Sequence, residues 1–555
     1  MKKQTLAIFF IVVALALAMS LFAACDGGEQ TEEGVFYIPP KAPSGDLPEV
    51  TKPETDYNLP QQITKEDCEY KKVTDSQGLT YQIRNGKAII GYNLYYTVEE
   101  IQQLPSDIVI PATVECYGYD FDVVIDDYAF AGSICPVRNV VIEEGVKEIG
   151  KYAFRDAYLQ SIVIPDSVEE IKEYTFSSGW IDSIVIGEGV RVIGKSAFED
   201  CNINSLTLPE SLQEIGERAF YNSDIQSVEI KSATSIGDYA FGNCVNLTDV
   251  TFPNNLEKIG TFAFSNTNIQ SANIQSAISI GEYAFSGCAN LIKVRLSDNL
   301  KEIGSYAFCD SAYLRGMTIP ASVERIGYSI LDNLHVGWLF CEAEQRPEGW
   351  DENWCMSKTY VVWDCTDKSV TIDGRHIVKD GILYYDIDDD SATAEVVYYD
   401  NWLPRKEITV PSKITVDGEV YDVKKIGSSA FAYDKDIQKA VIGEGVRTIG
   451  AYSFYKTGLS EVVLSDSVDF IEFYAFADTY LTQVVLPENM RYICEGAFNI
   501  ATLESIEFTG PKTWRYVENA QYVYIDVSDP VKNVETVQNI KRYGCIVLYT
   551  GDYYL

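Results

Sequence analysis

The sequence predicts a β-rich solenoid of two arrays of about 22-residue coils, each array preceded by a small β-rich cap. Three observations predict it. A phenylalanine returns at Phe130, Phe154, Phe176, Phe198, Phe220, Phe241, Phe264, Phe285 and Phe308, then at Phe431, Phe454, Phe476 and Phe498, in steps of 21 to 24 residues. The same words flank each return, an alternating apolar segment upstream and an Ala-Phe pair at the end. The stretches before the two runs also match: Ile108-Val-Ile-Pro111 with Tyr119-Asp-Phe-Asp-Val123, and Ile408-Thr-Val-Pro411 with Val420-Tyr-Asp-Val423.

A period of this length belongs to coils of the leucine-rich-repeat kind, which present long surfaces and favour binding over catalysis. In the coil from Leu159 to Phe176, Ile162 and Ile164 alternate with Ser161 and Val163, the two-residue period of a strand with one face buried. Each coil therefore donates one short strand to a parallel sheet. Pro165, Pro209, Pro253, Pro320 and Pro487 follow their strands, where a missing N–H removes little from the ladder. Val168 and Ile171 turn back inward, and a glycine follows the second isoleucine in most coils (Gly150, Gly194, Gly237, Gly281), where a sharp bend or a close backbone approach excludes a Cβ. A turn or short helical segment carrying Ala-Phe closes the coil. One coil cannot bury its own apolar face, so the coils must stack, with the phenylalanines as the repeat core.

At these residues the chain resembles the BspA-like leucine-rich repeats of bacterial surface proteins. Ile236-Gly237-Asp-Tyr-Ala240-Phe241-Gly-Asn-Cys244 and Ile280-Gly281-Glu-Tyr-Ala284-Phe285-Ser-Gly-Cys288 carry the pattern literally. Lys172, Glu472 and Cys494 depart from the glycine, Thr175 and Ser453 from the alanine, and Ile330 stands where a tenth phenylalanine would fall. The resemblance implies a surface protein that adheres to host matrix, host cells or other bacteria.

The expected organisation is a lipoprotein signal peptide with lipobox over 1–25, an acidic, proline-rich disordered tether over 26–66 and a β cap over 67–125. A first array with its terminating segment follows over 126–365, then a second cap over 366–425, a second array over 426–510 and a C-terminal cap over 511–555. Lys2 and Lys3 precede an apolar run, and Leu21-Phe22-Ala23-Ala24-Cys25 places small residues before a cysteine. This resembles the bacterial lipobox and makes Cys25 the lipidated residue and the lipid the membrane contact. An ordinary cleaved signal and an uncleaved anchor are the alternatives, and all three export the chain. The tether would hold the solenoid about 35 Å from the lipid.

With 44 basic and 82 acidic residues, net charge −38, phosphate backbones are repelled and nucleic acid is excluded as a partner. Lys293, Arg295 and Arg315 run against the trend on or beside outward strand positions. They are read as pairing with neighbouring carboxylates, with a dock for an acidic partner or glycan as the alternative. Cys201, Cys244 and Cys288 lie two coils apart, too far for a disulfide, and read as core thiols. Cys341, Cys355 and Cys365 cluster in the terminating segment, where an exported chain could form one bridge.

Catalysis lacks a residue pattern: His335 and His376 are the only imidazoles, and no Gly-x-Ser-x-Gly, His-Glu-x-x-His or phosphate loop occurs. No metal or cofactor is expected. Asp386-Ile-Asp388-Asp389-Asp390 lacks the glycine and glutamate of a calcium loop and reads as a hairpin tip. What remains is the outward strand face, whose middle residues run Val141, Val163, Val185, Thr207, Glu229, Thr251, Asn273 and Arg295. Tyr128, Tyr152, Tyr174, Tyr239, Tyr283 and Tyr306 stand two before their phenylalanines and form a ladder on the connecting side. The expected function is surface adhesion to a protein or glycan through the solenoid. Glycan capture by a carbohydrate-binding lipoprotein and a purely structural envelope role are the alternatives.

Overall fold

The computed structural model describes residues 63–91, 101–204, 206–314, 316–331, 338–356, 360–365, 369–372, 375–399, 405–509, 513–518, 521–525, 528–538 and 545–549. Cys25, most of the tether, Arg315 and His335 lie outside them. From Ile63 onward the chain clusters as a single compact unit.

Each coil has three sides. On the first, the expected strands form and pair in parallel: Tyr158–Ile164 lies beside Trp180–Ile186, with Ile162 opposite Ile184 and Val163 opposite Val185. The inward isoleucines are buried and the valines between them are exposed. The second side holds a strand that the sequence reading does not anticipate. Glu170–Ile171, Val192–Ile193, Glu214–Ile215 and their equivalents through Arg325–Ile326 make a parallel sheet of eight strands. A strand of two residues is too short to show alternation, which is why the pattern concealed it.

The third side is the Ala-Phe segment, which is a turn and not a helix. Its amides still find partners, because Phe198 N–H donates to the Ala219 carbonyl of the next coil at 2.7 Å, and Phe220 N–H to that of Ala240 at 2.7 Å. The chain bends at left-handed residues two before and two after the phenylalanine, for example Tyr174 (φ 58°) and Ser178 (φ 58°). Such a conformation costs about 1–2 kcal/mol in a non-glycine residue, and the bonds between coils offset it.

Inside, the phenylalanines stack as a column. Phe198, Phe220 and Phe241 have centroids 5.1 Å apart with planes within 6° of parallel, and the second array repeats this from Phe431 to Phe498 at 5.0 to 5.4 Å. Ile330 is fully buried at the end of the first column. The glycine after the second isoleucine is explained by approach and not by a bend: a Cβ on Gly237 would lie 2.6 Å from the Gly216 carbonyl carbon, and one on Gly281 2.6 Å from that of Gly260.

The two caps are built alike. Thr113–Cys116 pairs antiparallel with Tyr119–Ile125, and Lys413–Val416 with Glu419–Ile426. Asp107–Ile110 and Glu407–Val410 each lead parallel into the first strand of an array. The first cap already includes Ile63–Glu66, four residues assigned above to the tether: Tyr119 Oη donates to the Ile63 carbonyl and Lys65 Nζ sits 4.7 Å over the Phe121 ring. The expected hairpin tip lies between Leu383–Asp388 and Thr393–Tyr399. At the far end Cys545–Tyr549 pairs antiparallel with Tyr492–Cys494 and carries the sheet of the second array on to Thr513–Glu518 and Gln521–Ile525.

Two large cores serve the two arrays, and a third lies where they meet. The strand Trp338–Cys341 is buried on both faces. Leu339 and Cys341 point into the first core, while Trp338 and Phe340 meet Tyr384 and Tyr398 of the second cap.

Candidate binding faces of the solenoid

The strand face is exposed at its amino-terminal end. Val141, Val163 and Val185 are 43%, 36% and 53% exposed and stand beside one another in register. Thr207 follows opposite Val185, and Glu229, Thr251, Asn273 and Arg295 continue the exposed row. Sequence reasoning missed two residues of this surface. Tyr158 and Trp180, 44% and 56% exposed, pair in register on the same two strands with ring centroids 6.1 Å apart. Their signal was the aromatic directly before the inward Leu159 and Ile181. The second array carries its own exposed valines, Val463 and Val485.

Lys293 is not part of an open face. Alternation directs it outward, but the second array covers that end of the sheet, and its ammonium lies 3.0 Å from Asp434 and 2.8 Å from Asp436. Gly316 is covered in the same way, since a Cβ there would lie 2.9 Å from the Tyr398 ring. Arg295 stays exposed at the mouth of a junction cleft of about 290 Å³ that also receives Lys379 and Arg405.

The chemistry of Asp434 follows from its place three residues after Phe431. In other coils that position holds a small donor: Cys201 Sγ donates to the Phe176 carbonyl, Cys244 Sγ to Phe220 and Cys288 Sγ to Phe264, at 2.8, 2.9 and 3.1 Å. Burial pushes these thiols up to about 12, 12 and 11. A carboxylate cannot donate, so Asp434 accepts instead from the Tyr399 hydroxyl, the Asp436 N–H and Lys293. Burial and this carboxylate hold the Tyr399 phenol well above its ordinary range.

Cys341, Cys355 and Cys365 carry thiols and no bridge. Among the described residues Cys494 is disulfide-bonded, and the residue opposite it in the antiparallel register is Cys545. His376 is tied into the second cap: its Nδ1 is 2.9 Å from Asp389, which accepts the Tyr421 hydroxyl at 2.7 Å. These two bonds, Tyr421 first, hold the Asp389 carboxyl below its usual range.

The tyrosine ladder forms in two runs. Tyr128, Tyr152 and Tyr174 stack at 4.6 and 4.8 Å; Tyr239, Phe262, Tyr283 and Tyr306 stack at 4.6 to 4.8 Å. Within a run each ring face is covered by the next ring, so the ladder offers no continuous platform for sugars. The runs are separated at Ser196 and Arg218, beside a cleft of about 630 Å³.

A sequence profile of the BspA type leucine rich repeat region matches six copies over residues 123–234, 214–336 and 420–543, more than half of the chain. The chain belongs to the BspA-type leucine-rich repeat family. Its BspA-type coils are also similar to those of solved bacterial proteins. A leucine-rich repeat protein from Bacteroides ovatus is 20% identical over 82% of this chain and 88% of its own, with a TM-score of 0.33. A leucine rich cell surface protein from Faecalibacterium prausnitzii is 19% identical over 80% and 95%, with a TM-score of 0.23. The pneumococcal vaccine antigen PcpA is 16% identical over 79% and 82%, with a TM-score of 0.23. No curated protein matches the chain.

Proposed function

We propose that this BspA-type chain is an exported, surface-displayed adhesin that holds a protein partner on the amino-terminal strand face of its first array. The observation that carries the reading is the exposed row Val141, Val163 and Val185 flanked by Tyr158 and Trp180 on one parallel sheet. Exposed aromatic residues among apolar neighbours, set on a rigid backbone, are the composition of interface centres. The disulfide at Cys494 supports an oxidising compartment, in keeping with a lipobox at Cys25. Lipid anchoring would place many copies on one cell and raise a modest single-site affinity through multivalency.

The test is binding of the chain from Asp26 onward to immobilised extracellular-matrix proteins and to host cells. Saturable binding that is lost when Val141, Val163 and Val185 are all replaced by lysine supports the reading. Undiminished binding by that variant would exclude this face. Retention of the protein inside the cell, read by protease treatment of intact cells, would contradict surface display.

A further inference from the structure

The strand face of the first array runs out beside the second cap, and a cleft of about 290 Å³ lies where the two meet. Its floor is apolar and aromatic. Leu296 and Met317 of the first array and Tyr384 and Tyr398 of the second cap line it, all four buried, with the half-buried Ile382 beside them. Alternation turns Arg295 outward from the strand Lys293–Leu296 and Thr318 outward from Gly316–Ile319, so the array presents a guanidinium and a hydroxyl to the cleft. From the other side come Arg405 and Lys379, whose ammonium lies 4.9 Å over the Tyr384 ring. Arg295 and Arg405 are exposed and Lys379 is half-buried. Two acids share the lining: Asp298 is exposed, and Glu342 accepts the Ala321 N–H at 3.1 Å. In a chain of net charge −38, three cations against two carboxylates make this cleft a local exception.

We propose that this junction cleft binds one sugar acid, a pyranose ring bearing a single carboxylate, at the end of a glycan. A guanidinium is a planar fork that meets a carboxylate with two parallel N–H···O bonds, and two of the three cations are arginines. The acids select what surrounds that carboxylate. Sugar hydroxyls bring donors to Asp298 and to Glu342, since a carboxylate accepts more than one bond, while the C–H face of the ring packs on Ile382. A phosphate or sulfate chain brings further negative charges, which meet Asp298, Glu342 and the acidic surface beyond. The carboxylate of a peptide side chain brings no hydroxyls and leaves both acids unmatched. The volume fits one ring and excludes a folded surface, because small-ligand sites begin at about 300 Å³. Arg295 stands five coils on from Val185 in the same row, so use of the cleft does not rest on the reading of the valine patch.

The test is calorimetric titration of the chain from Asp26 onward with sialyllactose and with a disaccharide ending in glucuronic acid, beside lactose and an oligoglutamate peptide. The proposal expects saturable binding of at least one acidic sugar, at least tenfold tighter than lactose or the peptide. Arg295→Gln and Arg405→Gln, both at exposed positions, should each weaken it at least tenfold, while Arg191→Gln, at an exposed position outside the cleft, binds like the parent. Thr318→Trp fills the cleft with bulk and leaves its charges in place, and should weaken binding as much. Thermal melting of each variant confirms that it is folded. Binding of neither acidic sugar, equal binding of lactose, tighter binding of the peptide, or binding that survives both arginine substitutions overturns the proposal. The lysine replacements in the valine row should leave sugar binding intact, which separates failure of this cleft from failure of the protein-binding face.

Discussion

Lys293 of the first array and Asp434 of the second form an ion pair of 3.0 Å, with the carboxylate side chain 4% exposed and the lysine 11%. The contact joins two arrays that the sequence separates by a second cap. It also explains why the outward strand face ends where it does. At the strand Lys293–Leu296, with Arg295 the last exposed residue of the row, the face passes under the second array, and a lysine that alternation places in water becomes part of a charge cluster with Asp434, Asp436 and Tyr399.

Removing one partner from such a cluster leaves an uncompensated buried charge. Lys293→Met is expected to cost about 3–5 kcal/mol and to loosen the second array, measured by denaturant unfolding together with small-angle scattering. Replacing both partners, Lys293→Met with Asp434→Leu, is expected to recover much of that loss. A single variant as stable and compact as the parent would show that the pair does not join the arrays.

The phenylalanine column makes a second prediction. Phe220 lies between Phe198 and Phe241 with no exposed surface, so Phe220→Ala should cost about 3–5 kcal/mol. Equilibrium unfolding in guanidinium reads it directly.

Gly237→Ala should destabilise the first array, because the added methyl meets backbone and not a flexible side chain. Forcing the coils apart is expected to cost about 1–3 kcal/mol. Gly78→Ala, where nothing lies within 4 Å but φ is +88°, is the comparison: its cost arises from backbone strain in the cap and leaves the stacking of coils untouched. Hydrogen exchange in the coil on either side of Gly237 separates the two effects.

The buried thiols give a pH prediction. Burial raises Cys201 and Cys244 from an ordinary 9.0 to about 12. Both bind their protons more tightly in the folded chain, so the stability they contribute is complete below pH 9 and is lost as pH rises through about 12. In native protein at pH 8 they should resist iodoacetamide and react only after unfolding. Mass spectrometry of the alkylated peptides checks this.

Much of the fold was legible because one physical constraint recurs in every coil. Phe198, Ile193 and Ile184 each face the same column of neighbours above and below, so the sequence repeats wherever the packing does. The two-residue strand at Val192–Ile193 was not legible, since its pairing is set by stacking and not by its own alternation. Lys293 is paired with carboxylates as read, but which ones was not legible, because its partners are 141 and 143 residues away, outside any periodic signal. The valine row could be read from alternation alone, whereas Tyr158 and Trp180 joined it only once the strands proved to be seven residues long.

The central claim is that each phenylalanine marks one coil hydrogen-bonded to the next. Hydrogen exchange followed by mass spectrometry over peptides containing Phe198, Phe220 and Phe241 tests it most directly, because their amides donate to Ala219, Ala240 and Ala263 of the following coils. The account predicts protection of these turn amides comparable to that of the flanking strands. Exchange at the rate of exposed loops would contradict it.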